Sequence, residues 1–149
     1  MGQTVVLECL GNIEGSRFLD GRTGGRAGLA PSNISSYSGT FWDLEKLSDG
    51  TYSFKCLGAS IPRDGAAYLD GRTGDGSVGL ASNTNPPYTG THWQLNQDSD
   101  GFFTIVCQGN VPGNRYLDGR THDGSVGLAP NTDPPFTGTR WAIYTKLSL

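Results

Sequence analysis

The residues best suited to chemistry in this chain form an Asp-Gly-Arg-Thr segment that occurs three times, at Asp20–Thr23, Asp70–Thr73 and Asp118–Thr121. A carboxylate accepts two hydrogen bonds at once, which suits adjacent hydroxyls of a sugar, and an arginine offers a planar fork of donors. The same residues have a structural use: Asp-Gly forms a tight turn, and an arginine two positions on can clamp it through a salt bridge. Both uses fit the segment. Asp20 with Arg22, Asp70 with Arg72 and Asp118 with Arg120 are therefore the candidate polar pairs of a binding surface.

A second repeated segment offers an apolar surface. Asn-Thr-x-Pro-Pro-aromatic-Thr-Gly runs from Asn83 to Gly90 and from Asn131 to Gly138. The proline pairs stiffen the loop and limit the entropy lost on binding. Tyr88 and Phe136, with Tyr37 in a looser copy, can present a ring to the apolar face of a sugar, and Asn83 and Asn131 can add amide hydrogen bonds. The opposing reading is that these rings pack beneath a hairpin, with the Tyr88 hydroxyl seeking a polar partner.

Both segments belong to one larger repeat. Leu69–Trp93 and Leu117–Trp141 differ at only five positions, and a looser copy spans Leu19–Trp42. The chain is three tandem units of about 50 residues, approximately 1–48, 49–99 and 100–149, within a single domain over 1–149. The first copy has Ser35-Ser36 in place of the proline pair, so it is expected to be the weaker site. The second has about three extra residues, in the loop Ser60–Gly65, before its Tyr-Leu-Asp.

Each unit reads as four short strands. The first ends in cysteine (TVVLEC, TYSFKC, FFTIVC), and period-two alternation places Val5, Leu7 and Cys9 on one apolar face. The second holds Phe18-Leu19, Tyr68-Leu69 and Tyr116-Leu117, and the third is Ala27–Leu29, Val78–Leu80 and Val126–Leu128. The fourth begins at Trp42, Trp93 and Trp141, each sharing its inward face with Leu or Ile, so the tryptophans are expected in the core. Frequent glycine and the Asp-Gly turns support an all-β chain. The cysteines are expected as buried reduced thiols.

Twelve short strands in three equal units predict a β-trefoil, a six-stranded barrel capped by three hairpins with pseudo-threefold symmetry. The pattern Tyr/Phe-Leu-Asp, Gly-Val-x-Leu or its kin, Trp-x-Leu and Asp-Gly-x-Tyr is similar to ricin-type lectin and fascin-like trefoil repeats over essentially the whole chain. The resemblance implies that Asp20, Asp70 and Asp118 accept sugar hydroxyls. Two features depart from it: Ala30, Ala81 and Ala129 stand where those lectins place an aromatic, and Thr40, Thr91 and Thr139 replace the Gln of Gln-x-Trp. One segment, from Asn-Thr-x-Pro-Pro to the Gln-Gly after Cys107, resembles fungal mycocypin protease inhibitors. That resemblance implies an alternative function through the Ile61–Gly65 loop, with Arg63 suited to a trypsin-like pocket.

Composition narrows the class. A net charge of −3 argues against a nucleic-acid binder, and against a fascin-like module that grips acidic filaments. No apolar run approaches the ~18 residues needed to cross a bilayer. No signal peptide is visible at the start, and the odd cysteine count leaves at least one thiol unpaired, so a cytoplasmic protein is expected. The Gly74–Gly79 run spells GxGxxG without a following helix, and Asp-Gly-Arg-Thr-Gly-Asp-Gly lacks the closing Glu of a calcium loop. The only glutamates are Glu8, Glu14 and Glu45, so no repeated carboxylate pair for glycoside hydrolysis is evident, and His92 and His122 are unrepeated. The expectation is a non-catalytic carbohydrate-binding protein with two or three glycan sites, glycans or glycoconjugates as partners, and no cofactor or metal.

Overall fold

The computed structural model describes residues 2–11, 15–22, 25–31, 39–58, 66–110, 112–120, 123–134 and 136–145. Among them lie twelve strands. In the first unit these are β1 (Gln3–Cys9), β2 (Phe18–Arg22), β3 (Arg26–Ala30) and β4 (Trp42–Lys46). The second unit holds β5 (Tyr52–Cys56), β6 (Tyr68–Arg72), β7 (Ser77–Ala81) and β8 (Trp93–Gln97), and the third β9 (Phe103–Cys107), β10 (Tyr116–Arg120), β11 (Ser125–Ala129) and β12 (Trp141–Thr145). These are the four segments per unit that alternation and turn residues predict.

All pairings are antiparallel, and equivalent pairs keep one register. Trp42 faces Cys56 across β4–β5, Trp93 faces Cys107 across β8–β9, and Trp141 faces Cys9 across β12–β1. The last pair ties the end of the chain to its beginning. In the hairpins β2–β3, β6–β7 and β10–β11, Asp20 faces Gly28, Asp70 faces Gly79 and Asp118 faces Gly127.

These pairings correct the β-trefoil expected from the sequence. That expectation set three hairpins as a separate cap on a six-stranded barrel. Instead β7 bonds to both β3 and β11, and β2, β6 and β10 bond to β1, β5 and β9, so that all twelve strands form one sheet. The circuit β10–β11–β7–β3–β2–β1–β4–β5–β8–β9 returns to β10 and closes an antiparallel barrel of ten strands, with β6 and β12 attached as two further strands. A shorter closed circuit, β1–β4–β5–β8–β9–β12, runs within the same sheet. Counting strands per unit gives their number and order. It does not give their partners across units, which are long-range pairings.

The core is built from equivalent residues of each unit. Trp42, Trp93 and Trp141 are fully buried, as are Leu19, Leu69 and Leu117, with Leu7, Phe54 and Ile105 between them. Each indole Nε1–H donates to the carbonyl of the leucine preceding an Asp-Gly, at 3.0 Å (Leu19), 3.0 Å (Leu69) and 2.9 Å (Leu117). A buried donor without a partner costs about 1–3 kcal/mol, so these bonds fix where the second strand passes over the core. The tryptophans hold the carboxylates in place from below.

Candidate functional site

The second strand of each unit carries its aspartate and arginine at the edge of that core. Asp70 and Asp118 are buried, with side chains 10% and 9% exposed, and Asp20 is nearly so at 13%. In every unit the arginine Nε sits on the aspartate Oδ2, at 3.3 Å (Arg22), 3.5 Å (Arg72) and 3.6 Å (Arg120). Arg22 also donates from Nη2 to the Leu29 carbonyl at 2.9 Å. The guanidinium lies across the facing glycine of the hairpin: a Cβ on Gly28, Gly79 or Gly127 would stand 2.6, 2.7 or 2.5 Å from it. The arginine clamp of the structural reading is present, but not on an Asp-Gly turn: Asp-Gly-Arg lies within β2, β6 and β10, and the turns that follow open at the Arg72 and Arg120 carbonyls. The facing glycine of each hairpin leaves room for that arginine.

The clamp leaves part of each carboxylate for other work. Oδ1 faces away from the arginine toward Gly39, Gly90 or Gly138, at the start of the Trp strand. Burial pushes the carboxyls of Asp20, Asp70 and Asp118 above their ordinary value, and the adjacent arginines draw them partly back. Such half-compensated carboxylates favour a ligand that brings its own hydrogen-bond donors.

In the second unit this arrangement opens into a cleft of about 220 Å³. Asp70, Arg72 and Thr73 form one side, and Pro87, Tyr88 and Thr89 the other. The sequence therefore singles out three residues, Asp70, Arg72 and Tyr88, that the fold does bring together. Tyr88 precedes a single 3₁₀ turn, Thr89–Thr91, and is 36% exposed, so its ring is available rather than a plug beneath the hairpin. Its hydroxyl makes no hydrogen bond among the described residues, while its carbonyl accepts from Thr91 Oγ1 at 2.7 Å.

The third unit repeats the framework with changes. Phe136 has the backbone angles of Tyr88 and precedes the turn Thr137–Thr139, with its carbonyl accepting from Thr139 Oγ1 at 2.9 Å, but its ring is half-buried. In the first unit Asp20 and Arg22 are in place, whereas Tyr37, the remaining candidate, lies outside the described residues. The Ile61–Gly65 loop with Arg63 also lies outside them.

Asn83 and Asn131 play a different part from the one expected. Their Oδ1 atoms accept from the backbone N–H of Asn85 (2.9 Å) and Asp133 (3.0 Å), which shapes the turn, and Asn83 does not line the cleft. Sequence reasoning missed the floor. Cys107, from the next unit, lies beneath Gly71 and Gly90 and donates from Sγ to both carbonyls at 3.5 Å. Gly109, also from that unit, completes the wall. No signal within one repeat could have named a neighbour from the next.

His92, set aside as unrepeated, and Arg140 occupy equivalent places before the Trp strand, while His122 lies outside the described residues. His92 Nδ1 lies 2.9 Å from Asp49 Oδ2, and Arg140 bonds Asp98 at 2.9 Å and Asp100 at 2.8 Å. Each pins the turn that leads into the following Cys strand. Among the described residues, no group of three or more His, Cys, Asp or Glu side chains is arranged to hold a metal ion.

No family model matches this chain, and no curated protein sequence does. A solved structure described as a GlcNAcα1-4Gal releasing endo-β-galactosidase from Clostridium perfringens is similar in fold, with a TM-score of 0.72 at 12% sequence identity. The match covers 97% of this chain and 33% of that one, so the chain spans about a third of that protein's length. Kinship with ricin-type lectins, fascin-like modules and mycocypins, read from the sequence, is corrected by this result. The matching structure is a glycosidase, and it shares the all-β fold alone.

Proposed function

We propose that this protein binds carbohydrate without transforming it, through the Asp-Arg-aromatic cleft of the second unit and its counterpart in the third. The observation that carries the reading is the cleft itself: a shielded carboxylate, its arginine and an exposed tyrosine ring converge across about 220 Å³. Asp70 accepts two sugar hydroxyls, Arg72 orients the carboxylate and faces the ligand, and Tyr88 covers the apolar face of the ring. Asp118, Arg120 and Phe136 do the same in the third unit, and Asp20 and Arg22 form a weaker first site. The match to a protein described as acting on a galactose-containing glycan supports a carbohydrate ligand at the level of class.

Shallow sites of this size bind a single sugar weakly. Two or three on one rigid body reach useful strength on a multivalent glycan through effective concentration. A broad glycan array at neutral pH tests the reading. Asp70→Asn and Asp118→Asn should each reduce binding to the favoured glycans, and the double variant should lose about tenfold or more. Full retention by the double variant would refute the assignment.

A further inference from the structure

A second cleft of about 370 Å³ lies beside the first and shares Thr89 with it. Asp49, Asn85, Pro86, His92, Gln108 and Asn110 line it, so the second and third units meet there. Its walls are held firmly. The His92 ring is bonded at both nitrogens, Nδ1 to Asp49 Oδ2 and Nε2 to the Thr84 carbonyl, each at 2.9 Å. Thr89 Oγ1 donates to Asn110 Oδ1 at 2.9 Å and accepts from the Asn110 backbone N–H at 3.2 Å.

The groups left over have a common character. Among the described residues, the Asn85 side-chain amide, Asn110 Nδ2 and Gln108 Oε1 make no hydrogen bond. Neutral amides donate and accept, as sugar hydroxyls do, and the one carboxylate in the lining, Asp49, is already engaged by His92 and Thr51. Pro86 adds an apolar surface, and the fixed His92 ring offers a flat face beside it. A preformed pocket of few polar groups on an apolar wall is the usual form of a small-ligand site.

The other units lack this set. In the third, Asp133 stands in place of Asn85, Arg140 in place of His92, and the residue after the facing cysteine is Leu10 rather than Gln108. Arg140 is committed to Asp98 and Asp100 and lies over the Phe102 ring at 4.6 Å.

We propose that this cleft is a second sugar subsite, so that the second unit takes an oligosaccharide of at least two residues where the third takes one. One ring rests on Tyr88 at Asp70. The next passes Thr89 and sits between Pro86 and His92, with its hydroxyls on Asn85, Gln108 and Asn110. The inference rests on the carbohydrate-binding reading above and adds chain length to it.

The test uses the full chain and a glycan array spanning mono- to hexasaccharides, followed by titration with the best-bound oligosaccharide and with its terminal monosaccharide. The comparison variant is Asn85→Asp with Gln108→Leu. Both side chains are exposed, and both replacements already occur at equivalent places in this chain. The expected result is an oligosaccharide preference in the parent protein that falls about tenfold in the variant, with an unchanged thermal unfolding midpoint. Equal affinity for both sugars in the parent, or an unaltered ratio in the variant, would overturn the subsite and leave carbohydrate binding standing. Absence of binding to every glycan would overturn both.

Discussion

At the residue scale, the three aspartates are placed against their own stability. Burial raises the folded carboxyl of Asp70 above its unfolded value, so the folded state holds a proton more readily than the unfolded chain. Stability therefore falls as pH rises from the unfolded value through the folded one, and the charged form at neutral pH is a standing penalty. Arg72 offsets part of that penalty, and donors from a ligand at the Oδ1 left over would offset more. Two consequences can be measured together for Asp70→Asn. Its melting temperature at pH 7 should equal or exceed that of the parent, while glycan binding at the second unit is lost. In the parent, binding should disappear on acidification with a midpoint above 3.8, the ordinary carboxyl value. A variant that melts well below the parent would instead make the aspartate a structural clamp.

At the element scale, the site is the seam between a hairpin and the turn that precedes a Trp strand. Gly90 makes that seam possible. A Cβ there would collide with the Gly71 carbonyl and come within 2.7 Å of Asp70 Oδ1. Gly90→Ala should therefore destabilise the fold by about 1–3 kcal/mol, as overpacking does, and should displace the carboxylate. Calorimetry and glycan titration of the one variant read both effects, and normal stability with full binding would show that the seam is looser than its geometry. The strands themselves were legible from sequence, since alternating residues and glycine turns are local properties. So was the convergence of Asp70, Arg72 and Tyr88, because each repeated at a fixed spacing. The strand partners were not legible, nor was the floor made by Cys107, because both arise between units. Asn83 and Asn131 misled for a different reason: Asn before Thr-x-Pro serves a turn as readily as a ligand, and here the backbone takes the side chain.

At the scale of the whole molecule, each unit completes another. Cys56 of the second unit bonds the Gly39 carbonyl of the first at 3.4 Å. Cys107 of the third lies under Gly71 and Gly90 of the second, and Cys9 of the first lies under Gly119 and Gly138 of the third at 3.5 Å. Burial raises all three thiols above their ordinary value, so none is a ready nucleophile in the folded state. Each thiol reports one of three seams, and the seams form a closed cycle through the β12–β1 pairing. A closed cycle cannot release one unit without straining the next, so opening should be all-or-none. Thiol labelling in mild denaturant, followed by mass spectrometry of the intact chain, tests this. Species with no label and with three labels should dominate at every time, and the three cysteines should react at one rate. Accumulation of singly labelled chain would mean that a unit opens alone, and that the clefts at its seams can be lost one at a time.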